Sequence, residues 1–230
     1  MSAEGIATTA GALANGTRAA FCDALLDGRA WSLSELARHA GVSMPTASEH
    51  ATVLVQAGLC REDRRGRSRY IELADERVAA CIEELASLAP HRPAPASGLK
   101  AVTKREALAR GRTCYDHLAG RLGVAVTDAL RNLGVLDETL AVSPEGLGWI
   151  ERNLDGPVAT GRRPLARQCL DWTERRPHLA GAAGAHICRA LFERRWIRRA
   201  GAGRAVAVTP EGAERLAELL HEPFSTRGIR

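Results

Sequence analysis

The residues of this chain whose types best suit metal or thiol chemistry are cysteines and histidines in its second half. They fall in three segments, RTCYDHLAG, CLDWTERRPHLAG and HIC. The candidates for an effector or metal site are Cys114, His117, Cys169, Asp171, His178 and Cys188. Cysteine and histidine spaced three residues apart on a helix can ligate one soft metal ion, and two such segments can complete four ligands.

Two other interpretations of these residues stay open. Lone cysteines in alanine-rich helices often pack as small hydrophobes. Aromatic side chains of the second half could also line a pocket for an organic ligand. These aromatics are Tyr115, Trp149, Trp172 and Trp196. The effector is therefore unknown, and a soft metal ion and a small organic molecule are both candidates.

Catalysis is not expected, so we interpret the chain as a protein other than an enzyme. The sequence has no phosphate-binding loop, dinucleotide-binding glycine run or nucleophile elbow. Cys114 and His117 could be considered as a nucleophile and its base. Residues on one helical turn rarely align for that chemistry.

A second set of candidate residues belongs to a predicted pair of helices between positions 32 and 56. Ser32 and Glu35 form a capping box for the first helix, Gly41 supplies the turn, and Ser43 caps the next helix. The second helix has one apolar face and one face of small or polar groups, which is typical of a helix-turn-helix that reads the major groove. The residues expected to contact DNA from this helix are Ser43, Met44, Pro45, Thr46, Ser48, Glu49 and His50.

A basic hairpin is predicted directly after this pair of helices. Leu59–Leu73 alternates in polarity around the tip DRRGRSR, and Gly66 lets the chain reverse. The tip gives a cationic wing for phosphates or the minor groove. Its arginines are Arg64, Arg65, Arg67 and Arg69. In this order and spacing, the two features together predict a winged helix-turn-helix.

The length of 230 residues favours two domains. APHRPAPASG, with three prolines, predicts a linker at 91–98 between a DNA-binding and dimerisation domain at 1–90 and an effector-sensing domain at 99–230. Within the first domain, Thr17 is predicted to cap a helix. In the second domain, a helix is predicted over Leu99–Gly123, interrupted near Gly111.

The second half also contains a weak internal repeat. LAVSPEGLGWIERNL at 140–154 is echoed by VAVTPEGAERLAELL at 206–220, and each places a short strand before a helix capped by Ser143 or Thr209. IELADERVAACIEEL, with Asp75 as the cap, is a looser third version. Aromatics are only 4% of the chain, which disfavours a sheet-rich fold. The expected fold is mainly α with small β-wings, including a helical second domain built from winged-helix-like pieces.

The charge is unevenly distributed. The chain carries +5 overall, but residues 1–98 hold ten Lys and Arg against twelve Asp and Glu, so the wing must supply the local positive charge for DNA. No apolar run approaches the ~18–20 residues that span a bilayer. The beginning of the chain does not have the pattern of a secretion signal. We therefore expect a cytoplasmic protein with six reduced thiols and no membrane partner.

In its predicted helix-turn-helix and wing, the sequence resembles the ArsR family of bacterial regulators. ALANGTRAAFCDALLDG is similar to the family's second helix and its approach, SLSELARHAGVSMPTASEHATVLVQAGL to its helix-turn-helix, and REDRRGRSRYIEL to its wing. The resemblance covers about residues 6–88. It implies a homodimer formed through the first helix and the helix at about Asp75–Leu88. It also implies repression that an effector relieves.

The metal sites known in that family are not matched here. SELARHAG lacks the cysteine pair of arsenic sensors, DERVAACIEELASLAPH lacks the paired zinc ligands, and the recognition helix lacks the cysteine pair of cadmium and lead sensors. Most members have nothing comparable beyond Leu99, so we expect the second domain to sense the effector.

The resulting function is a sequence-specific DNA-binding transcriptional regulator. We expect it to repress as a homodimer on a pseudo-palindromic double-stranded operator and to be released by its effector. The alternative is a winged-helix protein–protein interaction module without specific DNA readout. A mobility shift that survives competitor DNA but not high salt distinguishes the two.

Overall fold

The computed structural model describes residues 2–66, 68–88, 99–161, 163–201 and 203–224, with the backbone alone for 99–102, 104 and 105. The chain divides into two compact units, Met1–Ile82 (unit 1) and Glu83–Arg230 (unit 2). The linker predicted at 91–98 lies outside the described residues. In the described part of the chain, no helix combines the length and apolarity needed to cross a membrane.

Unit 1 combines helices with a three-stranded antiparallel sheet of strand order β1-β3-β2. Its elements are α1 (Ala3–Leu13), α2 (Gly16–Leu25), β1 (Trp31–Ser32), α3 (Leu33–Ala40), α4 (Met44–Gln56), β2 (Cys60–Arg65), β3 (Ser68–Leu73) and the first half of α5 (Glu76–Leu88). Helices α3 and α4 are the helix-turn-helix, and strands β2 and β3 are the wing.

Local signals explain where these helices begin and end. Both hydrogen bonds of the Ser32–Glu35 capping box are present, and Gly41 ends α3 in the left-handed conformation that glycine tolerates. Ser43 caps α4 by accepting a hydrogen bond from the Thr46 amide. The predicted winged helix-turn-helix is therefore confirmed.

One helix start differs from the expectation. The N-cap of α2 is Asn15 rather than Thr17: the Asn15 side chain accepts hydrogen bonds from the amides of Thr17 and Arg18, and the helix begins at Gly16. Asparagine is among the best capping residues, since its side-chain oxygen satisfies amides that have no partner within the helix.

Unit 2 consists of helices and three two-stranded antiparallel sheets among its described residues. Its elements after α5 are α6 (Leu99–Arg110), β4 (Arg112–Cys114), β5 (His117–Ala119), α7 (Gly120–Asn132), α8 (Pro144–Asn153), β6 (Arg167–Leu170), β7 (Pro177–Ala180), α9 (Gly181–Glu193), β8 (Ile197–Arg199), β9 (Val206–Val208) and α10 (Pro210–Leu220). A mainly α fold with small β-wings is therefore confirmed.

The helix predicted over Leu99–Gly123 is interrupted near Gly111, as expected, but the prediction that the helix continues directly after the interruption is wrong. Helix α6 ends at Arg110, and residues 112–119 form the hairpin β4–β5 before α7 begins. Strands of three residues are too short to show a period in the sequence. Consequently Cys114 and His117 lie opposite each other across a hairpin, and not on one helical turn.

The repeat in unit 2 extends further than the two capped helices. Ser143 and Thr209 both cap as predicted, each accepting from an amide at 2.9 Å. Ahead of each, the chain forms a hairpin followed by a 13-residue helix, which is β4–β5 with α7 in the first half and β6–β7 with α9 in the second. Helix α7 packs on β7, and α9 packs on β5. Each half therefore covers the hairpin of the other.

Candidate functional site

The recognition helix α4 presents its first turns to solvent. Ala47, Ala51 and Leu54 are fully buried and hold the opposite face in the core. Of the residues predicted to contact DNA, the exposed ones are Ser43, Met44, Pro45 and Glu49, and the half-buried ones are Thr46, Ser48 and His50. Ser43 also caps the helix, as expected, and His50 Nδ1 lies 3.5 Å from the guanidinium of Arg18.

The wing exposes two of its predicted arginines and uses a third differently. The side chains of Arg64 and Arg65 are 75% and 64% exposed, although they pair with Glu62 and Asp63 at 2.9 Å. Arg67 lies outside the described residues. Exposed pairs of this kind are weak, so these two guanidinium groups can exchange their carboxylates for phosphates at little cost.

Arg69 connects the wing to the recognition helix. Its guanidinium donates to Ser48 Oγ at 2.6 Å and to Thr52 Oγ1 at 3.4 Å. It also donates to Glu62 at 2.6 Å, and this bond lowers the pKa of the Glu62 carboxyl. The spacing of the arginines in the sequence does not distinguish this bridging side chain from the exposed ones.

In unit 2, four of the six predicted effector residues come together in the core. Their ligand atoms all lie within 4.8 Å of one another, and all four side chains are buried. These residues are Cys114, His117, Cys169 and His178. Each pair faces across its own hairpin, Cys114 opposite His117 in β4–β5 and Cys169 opposite His178 in β6–β7.

The two thiols of this cluster differ in acidity. Their sulfur atoms are 3.8 Å apart. The hydrogen bond from Cys114 holds the pKa of Cys169 far below its usual range despite burial, and His117 and His178 lower it further. The same hydrogen bond and burial raise the pKa of Cys114. Cys169 is therefore the more acidic of the two thiols.

Each histidine of the cluster has an aspartate behind it. His117 Nδ1 lies 3.3 Å from Asp116 Oδ1. Burial alone would lower the pKa of His117, but the neighbouring Asp116 and Cys169 outweigh it and the pKa is raised. His178 Nδ1 lies 3.7 Å from Asp171 Oδ2.

Both aspartates are in turn held by arginines. Arg163 binds Asp116 through two hydrogen bonds of 2.6 and 3.1 Å. Arg112, fully buried, binds Asp171 at 2.9 Å. These ion pairs hold the two carboxylates in place behind the histidine rings. In metal proteins, carboxylates in such an outer layer orient the histidines that bind the metal. Asp171, predicted as a ligand, lies in this outer layer.

The remaining candidates of the second half have packing roles. Cys188 lies on α9 in the main core, and burial raises its pKa to about 12. Trp196 belongs to the same core with Trp149 against it. The Arg112 guanidinium stacks on Trp172 at 4.6 Å from the ring centroid.

Comparison with known proteins gives the chain its family. A model described as a helix-turn-helix domain matches residues 13–62. An uncharacterized HTH-type transcriptional regulator of Bacillus subtilis, YdfF, is 36% identical over 212 residues, which cover 90% of this chain and 93% of that protein. The chain belongs to the HTH-type transcriptional regulators. The match to YdfF spans both units, so the regulator shares unit 2 as well as its DNA-binding unit with this relative.

Two solved structures are similar to part of this regulator, and each covers less than half of it. One is the homodimeric winged helix-turn-helix domain of Mb0332 from Mycobacterium bovis, a possible ArsR-family regulator, at 27% identity over 39% of this chain and 85% of that one, with a TM-score of 0.35. Another is the cadmium sensor CmtR of Mycobacterium tuberculosis, at 31% identity over 40% of this chain and 99% of that one, with a TM-score of 0.32.

Sequence reasoning missed the pattern that builds the buried cluster of the regulator. RTCYDHLAGRLG at 112–123 and RQCLD with HLAGAAG at 167–184 both follow Arg-x-Cys-x-Asp, then His-Leu-Ala-Gly-x-x-Gly. Gly120 and Gly181 have φ of 72° and 85°, conformations that glycine adopts freely, where each hairpin meets its helix. The six residues 172–177 separate the two parts of the second copy. This insertion hides the match from a comparison of equal windows.

Proposed function

We propose that this regulator is a repressor that binds a pseudo-palindromic operator as a homodimer and leaves it when unit 2 receives an effector. The observation that supports DNA binding most directly is the pairing of an exposed, capped recognition helix with an exposed basic wing. The sequence resemblance to the ArsR family supports repression and release.

The proposed contacts divide into two kinds. Thr46 and Ser48 lie in the first turns of α4, where side chains reach base edges in the major groove. Arg64 and Arg65 are on the wing, where they bind phosphates and set affinity without reading sequence. A winged helix that serves only protein–protein contact would need neither kind.

The proposed dimer uses helices α1 and α5. Ile6 on α1 is 59% exposed, and Leu85 on α5 is 48% exposed. Cys81, one turn before Leu85, is also exposed. Apolar side chains exposed on these two helices favour an interface. The homodimeric domain of Mb0332 is a precedent for assembly. A twofold dimer matches a palindromic site, because each half-site meets the same recognition helix.

Fluorescence anisotropy with the DNA upstream of the regulator's own gene tests the proposal. Binding should persist against competitor DNA and weaken steeply with salt. Thr46→Ala and Ser48→Ala should change the preferred operator bases, whereas Gln56→Ala, exposed at the far end of α4, should not. Equal binding to unrelated DNA by all three variants and the unaltered protein would reject sequence-specific readout.

Sedimentation of the full chain tests the interface. Leu85→Glu should convert the dimer to a monomer at micromolar concentration because it places a charge in an apolar interface. Leu170→Glu, at a residue 41% exposed in unit 2, is the matched control and should remain dimeric. A dimeric Leu85→Glu variant would move the interface away from α5.

A further inference from the structure

The buried cluster of unit 2 has the composition and geometry of a metal site. We propose that unit 2 binds one divalent metal ion of zinc's class in a tetrahedral Cys₂His₂ site made by Cys114, His117, Cys169 and His178. The two copies of the Arg-x-Cys-x-Asp repeat supply one cysteine and one histidine each. The proposal does not depend on repression or on DNA contact, and either can fail without the other.

The distance between the sulfur atoms fits a shared ion. Two thiolates bound ~2.3 Å from a tetrahedral zinc ion lie ~3.8 Å apart, and the two sulfurs of this cluster are 3.8 Å apart. A disulfide would require ~2.05 Å. The limit of 4.8 Å for the whole set of ligand atoms leaves only small movements to bring both imidazoles into the same shell.

The imidazoles offer buried nitrogen atoms to such an ion. Among the described residues, His117 Nε2 and both ring nitrogens of His178 are buried without a hydrogen-bond partner. His117 and His178 are 3% and 0% exposed. Polar atoms left unpaired at that depth are costly. A metal ion at the centre of the cluster satisfies one nitrogen of each ring.

Charge selects a divalent ion. Arg112 and Asp171 neutralise each other, as do Arg163 and Asp116. Two thiolates and two neutral imidazoles then carry a charge of −2, which a divalent ion cancels, whereas a monovalent copper ion would leave a net charge in the core. Soft thiolates and imidazoles together favour zinc and its relatives over magnesium or calcium.

The site is closed and joins the two halves of unit 2. Four protein ligands leave no open position for substrate, as in structural zinc sites. Binding forms two metal–sulfur and two metal–nitrogen bonds, and every proton that the two thiols and the two imidazoles still hold on their ligating atoms passes to solvent. Because the ligands come from two hairpins, occupancy stabilises the folded arrangement of both repeats.

Metal content and cobalt spectroscopy on the reduced full-length protein test the proposal. Purified protein should contain one zinc ion per chain by mass spectrometry. After chelation, one equivalent of Co²⁺ should give the intense visible bands of tetrahedral coordination together with a thiolate-to-cobalt charge-transfer band. Added Zn²⁺ should abolish both signals. Substoichiometric binding or the weak spectrum of octahedral cobalt would overturn the site.

Variants assign the ligands. Cys114→Ser and His178→Gln should each weaken Zn²⁺ binding at least 100-fold, measured against a chromogenic chelator. Cys188→Ala, which removes a buried thiol elsewhere in unit 2, should bind like the unaltered chain. An equal loss in Cys188→Ala would reject the assignment.

Asp116→Asn provides a second test of the site if the ligand variants fail to fold, because it leaves all four proposed ligands in place. As a positioning residue, Asp116 should affect metal affinity by about 10–100-fold while the Tm of the metal-free protein changes little. Unchanged affinity would exclude its role behind His117. Finally, a Cys114–Cys169 disulfide that forms in preference to metal binding, detected as a loss of two hydrogens by mass spectrometry, would identify the cluster as a redox pair instead.

Discussion

The two units of this regulator carry their candidate functional side chains in opposite environments. On the wing of unit 1, the Arg64 and Arg65 side chains are 75% and 64% exposed. In unit 2, Cys114 and His178 are 2% and 0% exposed. An exposed charge contributes little to folding, and its effect on binding weakens as salt increases, whereas a buried polar group affects stability directly. Substitutions of exposed side chains in unit 1 should therefore change function without changing stability, whereas substitutions of fully buried polar side chains in unit 2 should change both together.

The largest effect is expected at the buried ion pair of unit 2. Asp171→Ala leaves the Arg112 guanidinium, which is fully buried, without its carboxylate. Removing one partner of such a pair costs about 3–5 kcal/mol. Asp155→Asn is the control, since Asp155 pairs with Arg194 at the surface, where a pair contributes only about 0–1 kcal/mol, and asparagine tolerates the left-handed backbone of this position. Urea denaturation of both variants checks the difference, and equal losses would contradict the comparison.

Acidification should weaken the same ion pair and lower the stability of the protein. Although burial opposes ionisation, Arg112 and hydrogen bonds to Thr173 hold the pKa of Asp171 far below its usual range. Because the pKa of Asp171 is lower in the folded than in the unfolded protein, the ionised carboxylate stabilises the fold above the unfolded pKa of about 3.9. This stabilisation is lost as the pH falls towards the folded pKa. Stability of the unaltered chain should therefore fall with acidification below about pH 4, and Asp171→Ala should flatten that dependence. An unchanged acid profile in the variant would contradict this cause.

The next effect concerns the buried side of the recognition helix. Leu54 is fully buried, so Leu54→Ala should cost about 2–5 kcal/mol through lost contacts and a cavity. Thr46→Ala, on the half-buried face of the same helix, should leave the free energy of unfolding within about 0.5 kcal/mol. Thermal and urea unfolding measure both. Similar losses in the two variants would show that the DNA-facing side also holds the fold.

How well the sequence predicts each unit depends on how far apart in the chain the interacting residues lie. In unit 1, caps and turn glycines act within four residues, so the Ser32–Glu35 box and the Gly41 turn are visible in the sequence and present in the structure. The start of α2 was misplaced because Thr17 and Asn15 are both good caps, and only the hydrogen bonds to Asn15 distinguish them.

In unit 2, the residues of the cluster are predictable but their arrangement is not. Cysteine and histidine are recognisable as candidate ligands from their residue type alone. The contact between Cys114 and Cys169 is not, because 55 positions of sequence separate them. Contacts of that separation depend on how two short hairpins pack, and no local period encodes them. The duplicated Arg-x-Cys-x-Asp pattern was the available signal.

A smaller effect is expected on the wing. Arg64→Ala and Arg65→Ala should each weaken binding to all DNA sequences alike and lower the slope of log affinity against log salt by about one unit. Arg61→Ala is the control, because Arg61 is exposed at the base of the same strand and pairs with Glu72. Anisotropy titrations at several salt concentrations measure the slopes, and unchanged slopes in the double variant would remove the wing from the interface. Folding stability should not change in any of them.

The smallest effect, and the sharpest test of exposed charge, involves the carboxylate that restrains the wing. Glu62 pairs with Arg64 at 2.9 Å and with Arg69 at 2.6 Å. The hydrogen bond from Arg69 lowers its pKa, so the group is ionised at neutral pH. Glu62→Gln keeps an oxygen for Arg69 but removes a negative charge that repels phosphate. Affinity for DNA should rise by about three- to tenfold at low salt, and the gain should shrink as salt increases.

Glu72→Gln is the matched control for that variant, because Glu72 pairs with Arg61 on the same hairpin, away from its tip. If charge at the tip governs affinity, only Glu62→Gln raises it, and operator preference stays the same because phosphate contacts carry no sequence information. An equal rise in Glu72→Gln would indicate a general effect of net charge. Weaker binding by Glu62→Gln would instead mean that the link from Glu62 through Arg69 to Ser48 positions the recognition helix, and that unit 1 also relies on a fixed polar network.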